Sequence, residues 1–320
     1  MINEDFKKVY WVFNRLDFKV IPSYYVGGVL PSNFLNSPKL VFLEEHDPEA
    51  TLNHTNPKVL ILFKAFDNGI LNLAKSAKKR GIKIISVFDD WYLQNVERTQ
   101  FNLPLSKISD LVVVKTNAAA NEIKNHFNIN SVVIADPVRF ESKNIFNKKD
   151  NLIKLCWYGI LDNHDTILNE IKNLDKLNFP FNLTIITNFV ENLKQQIDNL
   201  KIQKQNIIFK NWHERSDSEI LNTDAVLLPY PKDKKRLVKS SNRIIDSLNL
   251  GRFTIMSPVP QFEEFKNFVY YGDIIDGIEW FHANSNLALE KTVKGQKYVN
   301  NNYSIRAISN KWRNLIIKLV

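Results

Sequence analysis

The sequence is poor in the features that mark several common protein classes. Its 320 residues include a single cysteine, Cys156, which excludes an internal disulfide framework and a cysteine-rich metal site. Because Cys156 lies in the apolar run LIKLCWYG, we expect it to be a small buried hydrophobe in a reducing compartment. No apolar run approaches the ~20 residues that span a bilayer, and the first residues, MINEDFKKVYWVF, lack the apolar core of a secretory signal. The sequence therefore predicts a cytoplasmic protein.

Motifs of several large enzyme classes are also missing. The six histidines show no HExxH or other zinc-ligand spacing. The chain contains no GxSxG, no Walker lysine loop and no GxGxxG. The sequence therefore gives no support for a zinc hydrolase, a nucleophilic hydrolase, an ATPase or an NAD-binding enzyme.

What the sequence does contain is material for folded cores and an excess of positive charge. Hydrophobic residues make up 44% of the chain and charged residues 24%, which is typical of a soluble globular protein. The formal net charge is +9, and its densest run is KDKKR, from Lys232 to Arg236. Such a charge suits nucleic acid, an anionic membrane surface or a phosphorylated substrate, and does not choose among them.

Two regions alternate short apolar segments with helical ones, which predicts two domains with parallel sheets and crossover helices. A polar stretch, ESKNIFNKKDN, separates the regions. We expect an acceptor-side Rossmann-like domain at 1–145, a second Rossmann-like domain at 146–300 and a closing helix at 301–320, capped by Ser304, that packs back on the first domain. The predicted strands are VYWVF, LVFL, VLILF, IKIISVF, LVVV and VVIA, followed by IKLCWY, LTIIT, NIIFK, AVLLP and FTIM.

These two doubly wound α/β domains are expected to face a cleft, with ligands outside the carboxyl ends of the strands. The stretch VKSSNRIIDSLNLG follows such a strand and predicts a helix that stops at Gly251. A helix start attracts anions through its unpaired N–H groups and its dipole, and a cation placed there calls for a bound anion. Lys239 precedes this start, Ser240 and Ser241 can cap it or donate hydroxyls, and Arg243 lies in its first turn.

Farther along this helix, Asn242, Asp246 and Asn249 form a polar stripe, whereas Ile244, Ile245 and Leu248 face the core. The alternative interpretation is structural. Arg243 and Asp246 are three residues apart and would then form a surface pair worth about 0.2 to 0.5 kcal/mol.

The run AVLLPYPKDKKRLVKSSNRIIDSLNLGRFTIMS resembles the donor-binding segment of GT-B glycosyltransferases, in particular those of glycosyltransferase family 4. In that family an acidic residue lies five positions before a glycine, the positions that Asp246 and Gly251 occupy here. The segments SDLVVVKTNAAANEIKNHFNINSVVIADPV, LCWYGILDNHDTILNEI, NIIFKNWHERSDSEILNTDAVLLP and KYVNNNYSIRAISNKWRNLI are similar to other parts of that fold. The resemblance covers roughly the last two-thirds of the chain.

The resemblance implies an enzyme that transfers a sugar from a nucleotide-diphosphate donor to a hydroxyl of a glycan or lipid-linked glycan. No cofactor, metal or nucleic acid is expected, and peripheral association with the inner face of a membrane is left open. The implied diphosphate contacts are Lys239, Ser240, Ser241, Asn242, Arg243 and Gly159. Asp246 would bind the ribose and Trp212 would lie near the nucleobase, with a turn glycine and a packed tryptophan as the alternatives for Gly159 and Trp212.

The sequence departs from the family pattern at two places. Many members carry a second acidic residue eight positions earlier, which here is Val238. The loop GILDNHD also lacks the usual Arg and Lys, and supplies Ile160 and His164 or Asp165 in their place. These departures bear on the sugar contact and on whether the reaction retains or inverts configuration.

A catalytic base is sought in VFDDWY, where Asp90 or Asp89 follows a strand of the first domain. A helix cap and a solvated loop are the alternatives, and His46 is a weaker candidate for the base or for an acceptor contact. Two further hypotheses stay open on the same sequence. One is a nucleotide-sugar epimerase or hydrolase, and the other is a non-catalytic basic binding protein with a decayed transferase fold.

Overall fold

The computed structural model describes residues 5–19, 21–88, 96–147, 151–200, 206–213, 215–230 and 237–320. The chain forms two compact units. The first comprises Met1–Pro137, Lys234–Ser241 and Asn302–Val320, and the second comprises Val138–Asp233 and Asn242–Asn301. Within the described ranges no helix is long and apolar enough to cross a membrane.

A six-stranded parallel sheet forms the centre of the first unit. Its strands are β1 (Val9–Phe13), β2 (Lys39–Val41), β3 (Val59–Phe63), β4 (Lys83–Phe88), β5 (Leu111–Val114) and β6 (Val132–Val133). Their order is β2-β1-β3-β4-β5-β6. The central strand β3 reads VLILF and is buried at every position, as expected for a parallel strand covered on both faces. All six strands were predicted from the sequence.

Six α-helices accompany this sheet in the described part of residues 5–137. They are α1 (Pro22–Tyr24) and α2 (Leu30–Phe34), joined by a π-helical turn at Tyr25–Val29, then α3 (Pro48–Thr55), α4 (Asn68–Lys79), α5 (Val96–Ile108) and α6 (Asn117–Phe127). The side chains of Asp67 and Thr116 cap α4 and α6 by accepting backbone N–H bonds. The runs NGILNLAKSAKKRG and NAAANEIKNHF predict α4 and α6 from the sequence, whereas α1, α2, α3 and α5 were not predicted.

The second unit also has a six-stranded parallel sheet. Its strands are β7 (Ile153–Gly159), β8 (Phe181–Thr187), β9 (Asn206–Asn211), β10 (Ala225–Leu228), β11 (Phe253–Met256) and β12 (Tyr270–Tyr271). The order β12-β11-β10-β7-β8-β9 reverses direction between β7 and β10, which is the topological switch point where doubly wound sheets bind ligands. The strand β12 was not predicted, because two tyrosines in a mainly helical region give no strand signal.

The helices of the second unit are α7 (His164–Leu174), α8 (Val190–Asp198), α9 (Asp217–Leu221), α10 (Asn242–Asn249), α11 (Ile274–Ala283) and α12 (Ser285–Tyr303). The closing helix α13 (Ile305–Leu319) begins at the predicted cap Ser304 and clusters with the first unit. Its Trp312 is fully buried with its ring centroid 4.9 Å from that of Trp11. Ile308 and Ile316 of this helix are buried as well.

Cys156 lies in the middle of β7 and is fully buried. Burial raises the pKa of its thiol far above the ordinary range, so the side chain stays protonated and unreactive at neutral pH. The prediction of a small buried hydrophobe is confirmed.

Helix α10 binds the segment at 139–146, which precedes β7 and clusters with the second unit. The Asn249 amide donates to Phe140 O at 2.7 Å, and Gly251 O accepts from Phe146 N at 2.8 Å. The domain boundary expected from the sequence, between residues 145 and 146, would leave most of this segment in the first domain. Its contacts with α10 place it in the second unit.

Gly251 is the residue at which α10 stops, and it has φ +69°, in the left-handed region. A Cβ atom there would lie 2.6 Å from Asn144 O and 2.8 Å from Ile145 Cα, which are backbone atoms. Gly81 ends α4 with a similar φ of +74°, but an added Cβ would meet nothing within 4 Å. Both glycines therefore have a left-handed backbone conformation, but only Gly251 is packed closely against other backbone atoms.

We expect Gly251→Ala to lower the free energy of unfolding clearly more than Gly81→Ala. Both substitutions incur the left-handed strain of about 1 to 2 kcal/mol, and only the first also displaces the backbone at Asn144 and Ile145. Urea unfolding of the two variants beside the wild-type protein measures the difference. Equal losses would show that the segment at 144–145 adjusts without cost.

Candidate functional site

Aromatic side chains collect at the carboxyl ends of the strands in the second unit. Tyr158 is the penultimate residue of β7, Trp212 directly follows β9, and Tyr230 follows β10. The rings of Tyr158 and Trp212 are nearly parallel, with an interplanar angle of 22° and centroids 6.3 Å apart. These strand ends include both sides of the switch point, so this is where the topology predicts a ligand.

Arg243, in the first turn of α10, contacts two of these residues. Its Nη1 donates to Tyr158 O at 3.3 Å, and its Cζ lies 4.8 Å from the centre of the Tyr230 ring. In return the Tyr158 hydroxyl donates to Arg243 O at 2.8 Å. A cation over an aromatic face contributes about 0.5 to 2 kcal/mol, depending on its exposure. The arrangement fixes a guanidinium group at the start of a helix, which is also the positive end of the helix dipole.

The Tyr158 hydroxyl remains a neutral donor. Burial, and then the negative charge of Asp246, raise the pKa of Tyr158 well above its ordinary value. Ser247 also donates to Arg243 O, at 2.6 Å. Two hydroxyl groups therefore support the backbone of Arg243, and we assign Tyr158 a positioning role.

Asp246 is buried, and its Oδ1 accepts a hydrogen bond from the backbone N–H of Arg139 at 2.8 Å. The guanidinium carbon of Arg139 lies 5.2 Å from the centre of the Trp212 ring and 5.7 Å from that of Phe140. The polar stripe predicted on α10 thus binds the segment at 139–146 through Asp246 and Asn249. Whether Asp246 also binds a ribose stays a prediction.

Gly159 ends β7, and an added Cβ there would lie 2.9 Å from the Trp157 ring. The glycine is therefore required for packing of this tryptophan, whatever ligand approaches it. The next two residues, Ile160 and Leu161, are exposed to 52% and 43%. The side chains that immediately follow β7 are thus apolar and face solvent.

His164 begins α7 and is buried to 97%. Its Nε2 lies 2.7 Å from the Thr187 hydroxyl, which itself donates to Asn188 O at 3.0 Å. The Thr187 hydroxyl has a single proton and uses it in the bond to Asn188 O, so it can only accept from His164. Nε2 of His164 therefore carries the shared hydrogen, and the unprotonated Nδ1 is an acceptor. Nδ1 is buried and has no hydrogen-bond partner among the residues that the structure describes, and burial lowers the pKa of His164.

The other predicted residues of this stretch are divided between the two units. Lys239, Ser240 and Ser241 cluster with the first unit, whereas Asn242 and Arg243 belong to the second. Val238, at the usual acidic position, is buried in the first unit, and its carbonyl accepts from the Thr116 hydroxyl at 3.2 Å.

Three further features that were named from the sequence are charged or titratable side chains. Asp89, Asp90 and the KDKKR run lie outside the described residues. His46 is exposed in a turn, where its Nδ1 accepts from Leu43 N at 3.2 Å. No group of three or more His, Cys, Asp or Glu side chains with the arrangement of a metal site occurs in the part of the chain that the structure describes.

Sequence reasoning missed Arg139, Tyr158 and Tyr230. The two tyrosines carried a usable signal, since each lies at the carboxyl end of a predicted strand of a doubly wound domain. Arg139 carried none, because it is 107 residues away from Asp246 and the backbone bond that fixes it has no sequence signature.

We expect the stability of the protein to fall as pH drops through the ordinary histidine pKa of 6.5, partly because of His164. The unfolded chain binds a proton there that the folded chain, with its lowered pKa, does not yet bind. The variant His164→Gln keeps a donor toward Thr187 and should lose less stability than the wild-type protein between pH 7.5 and 5.5. Urea unfolding at both pH values measures this.

The control is His54→Gln, which removes an exposed histidine of α3. It shows how much of any change follows from replacing a histidine by glutamine in general. If the His164 variant behaved like this control, proton binding at the buried imidazole would not contribute to acid destabilisation.

Comparison with known proteins supports the fold. No protein-family profile matches the chain, and a search of curated proteins finds no match. Among solved structures, a glycosyltransferase from Rickettsia africae ESF-5 superimposes with a TM-score of 0.69 at 15% identity, covering 97% of both chains. Alr3699/HepE of Anabaena, in complex with UDP and glucose, gives 0.71 at 11% identity, covering 98% of this chain and 100% of its own.

The lipopolysaccharide outer core galactosyltransferase WaaB, in its apo form, gives a TM-score of 0.64 at 11% identity over 98% of this chain and 99% of its own. At such identities structural similarity establishes a fold and leaves the activity to be argued from the site. The predicted pair of doubly wound parallel-sheet domains with a helical C-terminus is confirmed, and the chain has the GT-B fold.

Proposed function

We propose that this protein is a glycosyltransferase that moves a sugar from a nucleotide-diphosphate donor to an acceptor hydroxyl. The observation that carries the proposal is the site at the switch point of the second unit. There Arg243 is fixed at the start of α10 between Tyr158 and Tyr230. The fold shared with glycosyltransferases, one of them in complex with UDP and glucose, supports the same reading.

The donor diphosphate would bind at the start of α10. The first backbone N–H groups of a helix lack intrahelical partners and point toward an anion placed before them. Arg243 adds a guanidinium group whose fork of N–H donors matches phosphate oxygens. Asn242 precedes it in the same turn, and Lys239, Ser240 and Ser241 remain predictions for this contact.

The nucleoside would extend along the aromatic strand ends. Trp212 is half-buried and offers an indole ring beside Tyr158. Asp246 is proposed for the ribose, one helical turn beyond Arg243. Each of these assignments follows from the family pattern and from the position of the residue in the second unit.

In the reaction, the bond between the sugar C1 and the diphosphate oxygen breaks, and the leaving nucleotide takes the electron pair. A bond forms between C1 and the acceptor oxygen, whose proton passes to a base or to the leaving phosphate. Cationic and N–H groups around the diphosphate stabilise the negative charge that develops on it. Asp90 or Asp89 is the proposed base, and no metal is invoked.

The first unit is proposed to bind the acceptor glycan or lipid-linked glycan. Two cations lie near the Tyr24 ring at the carboxyl ends of β1 and β3, with Arg15 Cζ at 5.6 Å and Lys64 Nζ at 5.3 Å from its centre. Lys64 Nζ also donates to the Ser23 hydroxyl at 3.1 Å. The Arg15 guanidinium also forms two hydrogen bonds to the Asp17 carboxylate, so its charge is balanced within the first unit.

We expect Arg243→Gln to weaken the binding of the preferred nucleoside diphosphate by about tenfold to a hundredfold, the value of a charge-assisted hydrogen bond. A thermal-shift screen with UDP-, GDP-, ADP- and CDP-sugars first identifies the donor, because a ligand that binds the folded state raises its midpoint. Titration calorimetry then compares the variants with the wild-type protein. Unchanged affinity would remove Arg243 from the site.

Arg306→Gln is the matched control, because it makes the same change of charge at an exposed position of α13. Release of nucleotide that requires an added acceptor supports the transferase. Turnover without an acceptor would point to an epimerase or hydrolase. Binding to random oligonucleotides with steep salt dependence, and to no sugar nucleotide, would point to a basic binding protein.

A further inference from the structure

Arg139 has contacts that differ from those of the other buried or half-buried arginines of the second unit. Its backbone N–H is bonded to Asp246, and the carbonyl of the following residue, Phe140, accepts from the Asn249 amide at 2.7 Å. Two consecutive residues are thus bound to one face of α10, which fixes the position of the Arg139 Cα. The side chain starts from this fixed point and extends to the Trp212 ring.

The guanidinium group itself has few polar contacts. Arg139 is half-buried, yet within the described ranges its N–H groups donate to no protein acceptor and no carboxylate lies within ion-pair distance. By contrast, Arg252 donates to four backbone carbonyls and Arg243 to one. The hydrogen bonds to Asp246 and Asn249 give the main chain at Arg139 a structural role. They do not explain the five N–H donors of the Arg139 side chain.

We infer that Arg139 is a specificity-determining residue of the proposed donor site, where its guanidinium group and the Trp212 ring together contact the nucleobase. The inference rests on the proposed function and adds to it. It assigns base selection to a residue outside the segments that resemble the donor-binding motif, since Arg139 precedes the second sheet.

The chemistry of the pair suits a flat heterocycle. Nucleobases stack on indole rings and on guanidinium planes, and both surfaces are weakly hydrated. The edges of a guanidinium group carry only donors, so it favours bases whose exposed edges carry acceptors. A bidentate contact of this kind, such as that of arginine with the O6 and N7 atoms of guanine, discriminates between bases. An indole alone stacks on every base and selects poorly.

The two arginines of the site should therefore act on different parts of one ligand. Arg243 lies at the start of α10, where the helix dipole favours phosphate. Arg139 is attached at Asp246, one turn farther along the helix, and reaches the ring that follows β9. This division predicts that substitutions of the two residues have separable effects.

The test measures binding of UDP, GDP, CDP, ADP and inorganic pyrophosphate to the whole chain by calorimetry. In Arg139→Gln we expect the ratio between the affinities of the best and worst nucleoside diphosphates to fall about tenfold, the scale of one lost bidentate base contact. Pyrophosphate affinity should not change. Arg243→Gln should instead weaken pyrophosphate and all four nucleotides by one common factor.

Arg139→Lys separates charge from geometry, since it keeps the cation and removes the planar fork. It should lose base discrimination as Arg139→Gln does. Unfolding midpoints near the wild-type value show that these variants are folded, which we expect because the Asp246 bond is to the backbone of residue 139.

Other outcomes overturn the inference in distinguishable ways. If Arg139→Gln weakened pyrophosphate and every nucleotide equally, Arg139 would be a phosphate contact. If it changed no affinity, Arg139 would not touch the ligand. If the wild-type protein bound none of the nucleotides, the proposed function would fail together with the inference.

Discussion

The guanidinium group of Arg252 connects three separate segments of the second unit through their backbone carbonyls. It donates to Leu250 O, to Leu221 O and Thr223 O at the end of α9, and to Asn144 O, at distances of 2.6 to 3.1 Å. Burial lowers the pKa of Arg252 to about 10, so it remains a cation at neutral pH. Removal of this side chain would leave several buried carbonyls without donors, which is among the costly changes in a protein interior.

The position of the candidate site depends on these bonds. Asn144 belongs to the segment at 139–146, and the same segment contacts Gly251 so closely that only a glycine fits there. Arg252, Gly251 and Asn249 therefore bind one side of this segment, and Asp246 fixes the N–H of Arg139 at its start. An arginine that precedes the second sheet is in this way placed beside an aromatic ring that follows β9.

Helix α10 combines structural and functional residues along eight positions. Its apolar face, with Ile244, Ile245 and Leu248, is fully buried. Its polar stripe supports the neighbouring backbone, and its first turn presents Arg243 to the strand ends. From the sequence, Asn242 and Asp246 of this stripe were predicted to contact a ligand, because a polar residue on a helix looks the same in sequence whether its partner is a ribose or a backbone amide.

Local sequence pattern determined the two sheets, eleven of the twelve strands, the stop of α10 at Gly251 and the choice of Arg243 as a candidate phosphate contact. Trp212 became a candidate only through the resemblance to family 4 glycosyltransferases. Apolar runs between polar segments and a glycine after a helix are local signals, and neighbouring residues suffice to read them. The short helices α1, α2 and α3 lacked such periodicity. Only the tertiary structure decided where the 139–146 segment lies, that Tyr158 and Tyr230 contact Arg243, and that Arg139 reaches Trp212. Those contacts join residues far apart in the chain, and their partners are set by packing and by the hydrogen-bond needs of buried backbone, which no single stretch of sequence records.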